Sequence, residues 1–92
     1  AKKLTGYHKI SSGGATATIV DIAEVMRQAV LNQANSILLL HNHPSGQARE
    51  SRADVNLTRR IVESGKLIGI TVDDHIIIAG DAYVSMRSKG LV

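Results

Sequence analysis

Apolar residues recur in this chain with helical spacing in two places and run unbroken in a third. From Asp21 to about Asn32, the positions Ile22, Val25, Met26, Ala29 and Val30 fall on one helical face, which predicts an amphipathic helix packed on a sheet. Asp21 with Glu24 three residues later is a capping-box pattern, so it sets the start of that helix and accounts for Glu24. A second stripe, Asp54, Val55, Thr58, Ile61, Val62 and Gly65, predicts a helix from about Arg52 to Ser64 with Gly65 as its stop. Between the two, Ser36 to Leu40 is continuously apolar after its first residue, as in a central strand covered on both sides. Leu4 to Ser11 alternates imperfectly and reads as a further strand. The Ser11-Ser12-Gly13-Gly14 turn after it lacks the Gly-Lys-Ser/Thr ending of a phosphate-binding loop. Lys66 to Val72 and His75 to Ile78 read as two short strands joined by a turn at Asp73-Asp74. Gly80-Asp81 is another turn, Ala82 to Ser85 a last strand, and the tail from Met86 a brief helix or coil. The pattern as a whole is α/β (α+β): a mixed sheet flanked by helices.

The chemistry gathers where the apolar strand ends. His41 and His43 are two residues apart, so both side chains leave the strand on one face and can share a cation. Pro44, Ser45 and Gly46 break the strand into a turn, and Ser51-x-x-Asp54 opens the second helix. Asp54 lies at the edge of the inward stripe, where an unpartnered carboxylate is costly. Either a metal or the helix's own amides must satisfy it. Two imidazoles and a carboxylate, with a fourth position left to water, form the ligand set of a catalytic zinc site. The alternative on residue types alone is a helix capped by Ser51 and Asp54 beside two loop histidines. Thr58, one turn beyond Asp54, can bond toward the carboxylate or back to its own helix. His8 and His75 read as structural histidines before ligands.

Composition narrows the choice of chemistry. Ninety-two residues make one domain with a single core and little reserve of stability. With no cysteine, disulfide scaffolds, thiolate zinc sites, cysteine nucleophiles and the Pro-Cys-x-x-Cys deaminases are excluded. No apolar run is long enough to span a bilayer and no signal peptide opens the chain, so a cytoplasmic location without membrane contact is expected. The formal net charge of +3 raises the question of nucleic acid. The basic residues are scattered, however, and two tyrosines cannot build a stacking platform for single strands, so direct binding is weakly supported.

The spacing His41-x-His43-Pro44, six residues, then Ser51-x-x-Asp54 resembles the signature of the JAMM metallopeptidases. The words around it, His41-Asn42-His43-Pro44-Ser45-Gly46, Asp54-x-x-Leu57-Thr58, Gly69-Ile70 and Asp74-His75-Ile76-Ile77-Ile78, resemble the bacterial RadC family over nearly the whole chain. The resemblance implies a RadC-like JAMM domain over residues 1–92, of JAMM/cytidine-deaminase-like architecture, in a zinc-dependent hydrolase of peptide or isopeptide bonds. It implies one zinc ion per chain, held by His41, His43 and Asp54 together with water, with Ser51 stabilising the oxyanion and a protein or peptide as substrate. The family's general base is a glutamate on a strand before the segment matched by Lys3 to Ser11. No residue here matches it: Glu24 sits on the first helix, Glu50 in the loop and Glu63 far down the second helix. The expectation is therefore a domain lacking the family's first strand, with the base lying before Ala1. The rival from a different class is a non-catalytic metal- or peptide-binding module associated with DNA repair or other DNA transactions. A nuclease is disfavoured, since one lone site offers neither a second metal nor a concentrated basic groove.

Overall fold

In a computed structural model, residues 6–7, 20–43 and 46–92 are described. The elements in chain order are α1 (Ile22–Leu31), β1 (Ser36–Asn42), α2 (Arg52–Leu67), β2 (Thr71–Ala79), β3 (Ala82–Ser85) and a short 3-10 turn at Arg87–Lys89. Among the described residues the sheet has the order β1-β2-β3. The β1–β2 pair is parallel and the β2–β3 pair antiparallel, so the sheet is mixed as expected. A parallel pair needs a crossover, and α2 provides it. The strand expected at Leu4 to Ser11 and the turn after it fall almost wholly outside the described residues, as do Pro44 and Ser45.

The first helix begins and ends where its pattern placed it. Asp21 is the N-cap and accepts a bond from the Glu24 amide at 3.3 Å, while Asn32 is the C-cap. Glu24 itself does not close a reciprocal box. Its carboxylate takes bonds from Arg27 and, at 2.8 Å, from Gln28, the neighbours that helical spacing places three and four residues on.

Three expectations change. First, β1 is not the central strand among the described residues, because β2 holds the middle position. Nor do the described residues cover β1 on both sides. Ile37 and Leu39 pack against the core, whereas Leu38 and Leu40 are 48 % and 64 % exposed on the opposite face. Second, Asp73-Asp74 is no turn but lies inside one nine-residue strand. Ile37 stands opposite Val72 and Leu38 opposite Asp74, so β2 uses one more residue than β1 at a bulge. Asp74 then accepts bonds from the amides of His75 at 2.7 Å and Arg87 at 2.9 Å, and from the Ser85 hydroxyl. Burial works against its charge, but the Ser85 hydroxyl and these two amides hold its pKa below the ordinary carboxylate value.

Third, Gly65 does not stop α2. The helix continues to Leu67, with Ile68 as C-cap and Gly69 taking the left-handed conformation at φ 76°. Gly65 is inside the helix because a Cβ there would collide with the Ile70 carbonyl oxygen. The chain must come that close to turn into β2. The core formed where these elements meet is centred on Val25 of α1, Ile61 of α2 and Val72 of β2.

Candidate metal centre

The site stands where the end of β1 faces the first turn of α2. Ser51 caps the helix with a full capping box: its hydroxyl accepts from the Asp54 amide at 3.1 Å, and its own amide donates to Asp54 Oδ2 at 2.7 Å. This box aims the Asp54 carboxylate back over the strand end, where it is 5 % exposed. His41, near the end of β1, and His43, just after it, turn to that same side. His41 Nδ1 is 3.3 Å from Asp54 Oδ1 and His43 Nε2 is 3.2 Å from Asp54 Oδ2. The capped helix and the three-residue cluster, posed as alternatives by the residue types, are therefore one arrangement sharing Asp54.

Hydrogen-bond accounting shows what the cluster lacks. His43 Nδ1 is 3.1 Å from the Gln47 carbonyl, which can only accept, so Nδ1 carries the proton. In the neutral ring Nε2 is then a lone pair pointing at a carboxylate oxygen, acceptor against acceptor. His41 Nδ1 is buried and has no hydrogen-bond partner. Burial is the main influence holding the His41 pKa below its ordinary value, against the pull of Asp54. For Asp54, burial acts upward but is outweighed by the bonds from Ser51 and then by the charges of His41 and His43, so its pKa is lowered. Imidazole nitrogens turned toward a carboxylate whose pKa is lowered are a donor set of the kind a cation takes.

The geometry fits one ion. Each histidine nitrogen stands 3.2 or 3.3 Å from a carboxylate oxygen. One ligand atom from each of His41, His43 and Asp54 lies within 4.8 Å of the others, so the three form a group able to hold a metal ion. The Gln47 carbonyl behind His43 fixes that ring's tautomer and orientation, a support commonly found behind metal-bound imidazoles.

Among the other singled-out residues, Ser51 borders the cluster with its side chain exposed. Glu50 is bound to Lys89 at 2.9 and 3.1 Å, and Glu24 is engaged on α1, so neither belongs to the group. His8 lies outside the described residues. The residue whose place the sequence left open is His75. It is 2 % exposed and shares the inner side of the sheet with Ile77 and Ala79. Its Nδ1 is 2.5 Å from the Thr58 hydroxyl, and its ring is stacked on that of His41. Thr58 does bond back to its own helix, at the Asp54 carbonyl, yet faces His75 with the same oxygen. A polar residue in period with buried apolar neighbours was the available signal.

Residues 1–91 match the family model described as RadC-like JAB domain. Relatives of the same kind are the UPF0758 proteins of Salinibacter ruber, 39 % identical over the whole chain and 40 % of that protein, and of Methanosarcina acetivorans, 45 % identical over 90 % of this chain and 36 % of that protein. The UPF0758 protein of Syntrophomonas wolfei is likewise 45 % identical, with 90 % of this chain matched to 35 % of it. The chain thus spans about two fifths or less of the curated relatives it matches. By the extent of that match and the level of identity, the chain belongs to the RadC-like JAB domain family.

Proposed function

We propose that this domain is the metal-binding part of a zinc-dependent hydrolase acting on peptide or isopeptide bonds of a protein substrate. The observation that carries this reading is the convergence of one ligand atom each from His41, His43 and Asp54, with the His43 Nδ1 turned to the Gln47 carbonyl so that Nε2 faces the carboxylate. Neutral nitrogens with one carboxylate favour zinc over magnesium or calcium, which prefer all-oxygen shells. Bound there, zinc supplies Lewis-acid polarisation of a carbonyl and a water of lowered pKa.

The chain's own residues have separate tasks. His41 and His43 would supply nitrogen ligands and Asp54 the carboxylate, which its bond from the Ser51 amide holds in place. The Ser51 hydroxyl accepts from the Asp54 amide, which leaves its O–H free to donate to a developing oxyanion, a contribution of roughly 3 kcal/mol for comparable donors. A general base for such a water would be a carboxylate outside the group of His41, His43 and Asp54.

One observation favours a second reading, a metal- or peptide-binding module without catalysis. Among the described residues the cluster's single carboxylate is Asp54, and the nearby Glu50 is bound to Lys89. Metal analysis of tag-free protein and its His41→Ala variant tests the site that both readings share: parent near one zinc per chain and variant near none support it, and equal content in both overturns it. Mass spectrometry of peptide and isopeptide substrates then separates the readings. Cleavage lost in Asp54→Asn supports the hydrolase, and zinc binding without cleavage supports the module.

A further inference from the structure

Behind the three ligands lies a second polar pair that none of the chemistry above uses. Thr58 is fully buried and His75 is 2 % exposed, yet one is a hydroxyl and the other an imidazole. The Thr58 hydroxyl has one proton and two close neighbours: the Asp54 carbonyl at 2.7 Å and His75 Nδ1 at 2.5 Å. A carbonyl only accepts, so the proton goes there and His75 Nδ1–H donates to the Thr58 oxygen. The pair is thus committed in one direction, from His75 through Thr58 to the backbone of Asp54. The His75 ring lies against His41, with centroids 5.8 Å apart and planes 20° from parallel. His41 in turn meets His43 edge-on, with centroids 4.8 Å apart and planes at 86°. One buried pair therefore touches two of the three ligands: Asp54 through its carbonyl and His41 through its ring face.

We propose that Thr58 and His75 form a positioning pair that sets the orientation of His41 and the first turn of α2, and so sets how tightly and in what geometry the site holds its metal. The inference rests on the metal reading above. Neither side chain contacts the ion. Losing the pair leaves all three ligands in the chain but frees the His41 ring to rotate against β2 and the Asp54 peptide to relax, and outer partners of this kind govern metal affinity strongly. The hydroxyl is the joint, since Thr58→Val keeps the shape and removes both bonds.

The test uses the full chain without an affinity tag. Zinc affinity is measured by competition with a chromophoric chelator, cobalt(II) is the spectroscopic probe at saturation, and circular dichroism reports folding. Thr58→Val is expected to weaken zinc binding about tenfold to a hundredfold. Its cobalt d–d band should shift in position or intensity even when the site is full, which a loss of stability alone does not produce. Thr58→Ser, which restores the hydroxyl, should return to within about threefold of the parent because both hydrogen bonds are kept. His75→Phe, which keeps a ring against His41 but removes the donor, should weaken zinc and shift the band in the same sense. It decides the matter should Thr58→Val not fold. Parent-like affinity with an unchanged cobalt spectrum in the folded variants overturns the proposal, as does Thr58→Ser binding as weakly as Thr58→Val. His41→Ala run alongside separates the two levels. If it too binds zinc like the parent, the metal reading has failed. If it loses zinc while the Thr58 and His75 variants keep it, only the positioning pair has.

Discussion

At its N-terminus α2 meets β1 through polar side chains, whereas at its C-terminus it meets the start of β2 through bare backbone. The first junction holds His41, His43, Ser51 and Asp54, arranged so that lone pairs converge. The second is Gly65 against the Ile70 carbonyl, joined by the Ile70 amide bonding back to Gly65 at 2.8 Å and followed by Gly69 in the left-handed conformation. One end is a group able to hold a metal ion, and the other is built for close packing. Without a cation, crowded acceptors contribute little to stability or oppose it. Substitutions at the first end should therefore cost metal and spare the fold, and those at the second should do the reverse.

The largest expected effect is at the polar end. Asp54→Asn should weaken zinc binding by more than about 100-fold, exceeding the loss from an outer partner, because it removes the one carboxylate that the described residues bring to the cluster. The asparagine side-chain oxygen can still accept from the Ser51 amide at this N3 position, so unfolding stability should change by less than about 1 kcal/mol. Competition titration and chemical denaturation read the two quantities separately. Glu24→Gln, on α1 and away from the cluster, is the control and should leave zinc binding intact. Comparable losses in the two variants would show that the pocket has been misplaced.

At the other end, Gly65→Ala should leave zinc affinity unchanged and lower stability by about 2 kcal/mol. Overpacking costs roughly 1–3 kcal/mol, partly offset by the better helix propensity of alanine, about 1 kcal/mol. Denaturant titration decides this. An unchanged midpoint would mean that the helix and Ile70 separate at little cost, and the contrast between the two ends would then lose its structural half.

The same contrast explains what could be read from the chain in advance. The polar end was legible because its signals are local. His41 and His43 are two residues apart on a strand, and Ser51 and Asp54 are three apart at a helix start, so spacing alone puts them on common faces. The first helix was legible for the same reason. Gly65 was misread because a glycine near the end of a stripe ordinarily signals a stop, and only the chain's return at Ile70 shows that it permits a close approach. Asp73-Asp74 was misread as a turn because two adjacent aspartates disfavour a strand. The groups that offset this for Asp74, the Ser85 hydroxyl and the Arg87 amide, come from the last residue of β3 and the turn that follows it. His75 was visible as a buried-phase polar residue, but its partner Thr58 is 17 positions away, and no periodicity links a helix residue to a strand residue at that distance. Local polar motifs announce themselves, and long-range packing partners do not.

The smallest effect concerns proton uptake, and it sharpens the comparison because only the polar end carries it. In the metal-free protein, burial holds both His41 and His75 below the ordinary histidine pKa, while the unfolded chain titrates near 6.5. Between the folded and unfolded values the unfolded chain binds more protons, so stability is present in full above about pH 6.5 and declines as the pH falls through that value toward the lowered folded pKa. Asp54, also lowered, adds a loss in the same direction only at more acid pH, below its unfolded value of 3.8. From pH 8 to 6.5 the unfolded rings become at most half protonated, so the drop should be smaller than that caused by Gly65→Ala. Thermal unfolding of metal-free protein at the two pH values measures it. In His75→Phe the drop should shrink, since one buried neutral ring has been removed, whereas in Gly65→Ala it should persist at a lower baseline. A drop of the parent's size in His75→Phe would assign the proton uptake to the remaining histidines and remove His75 from the account of acid sensitivity.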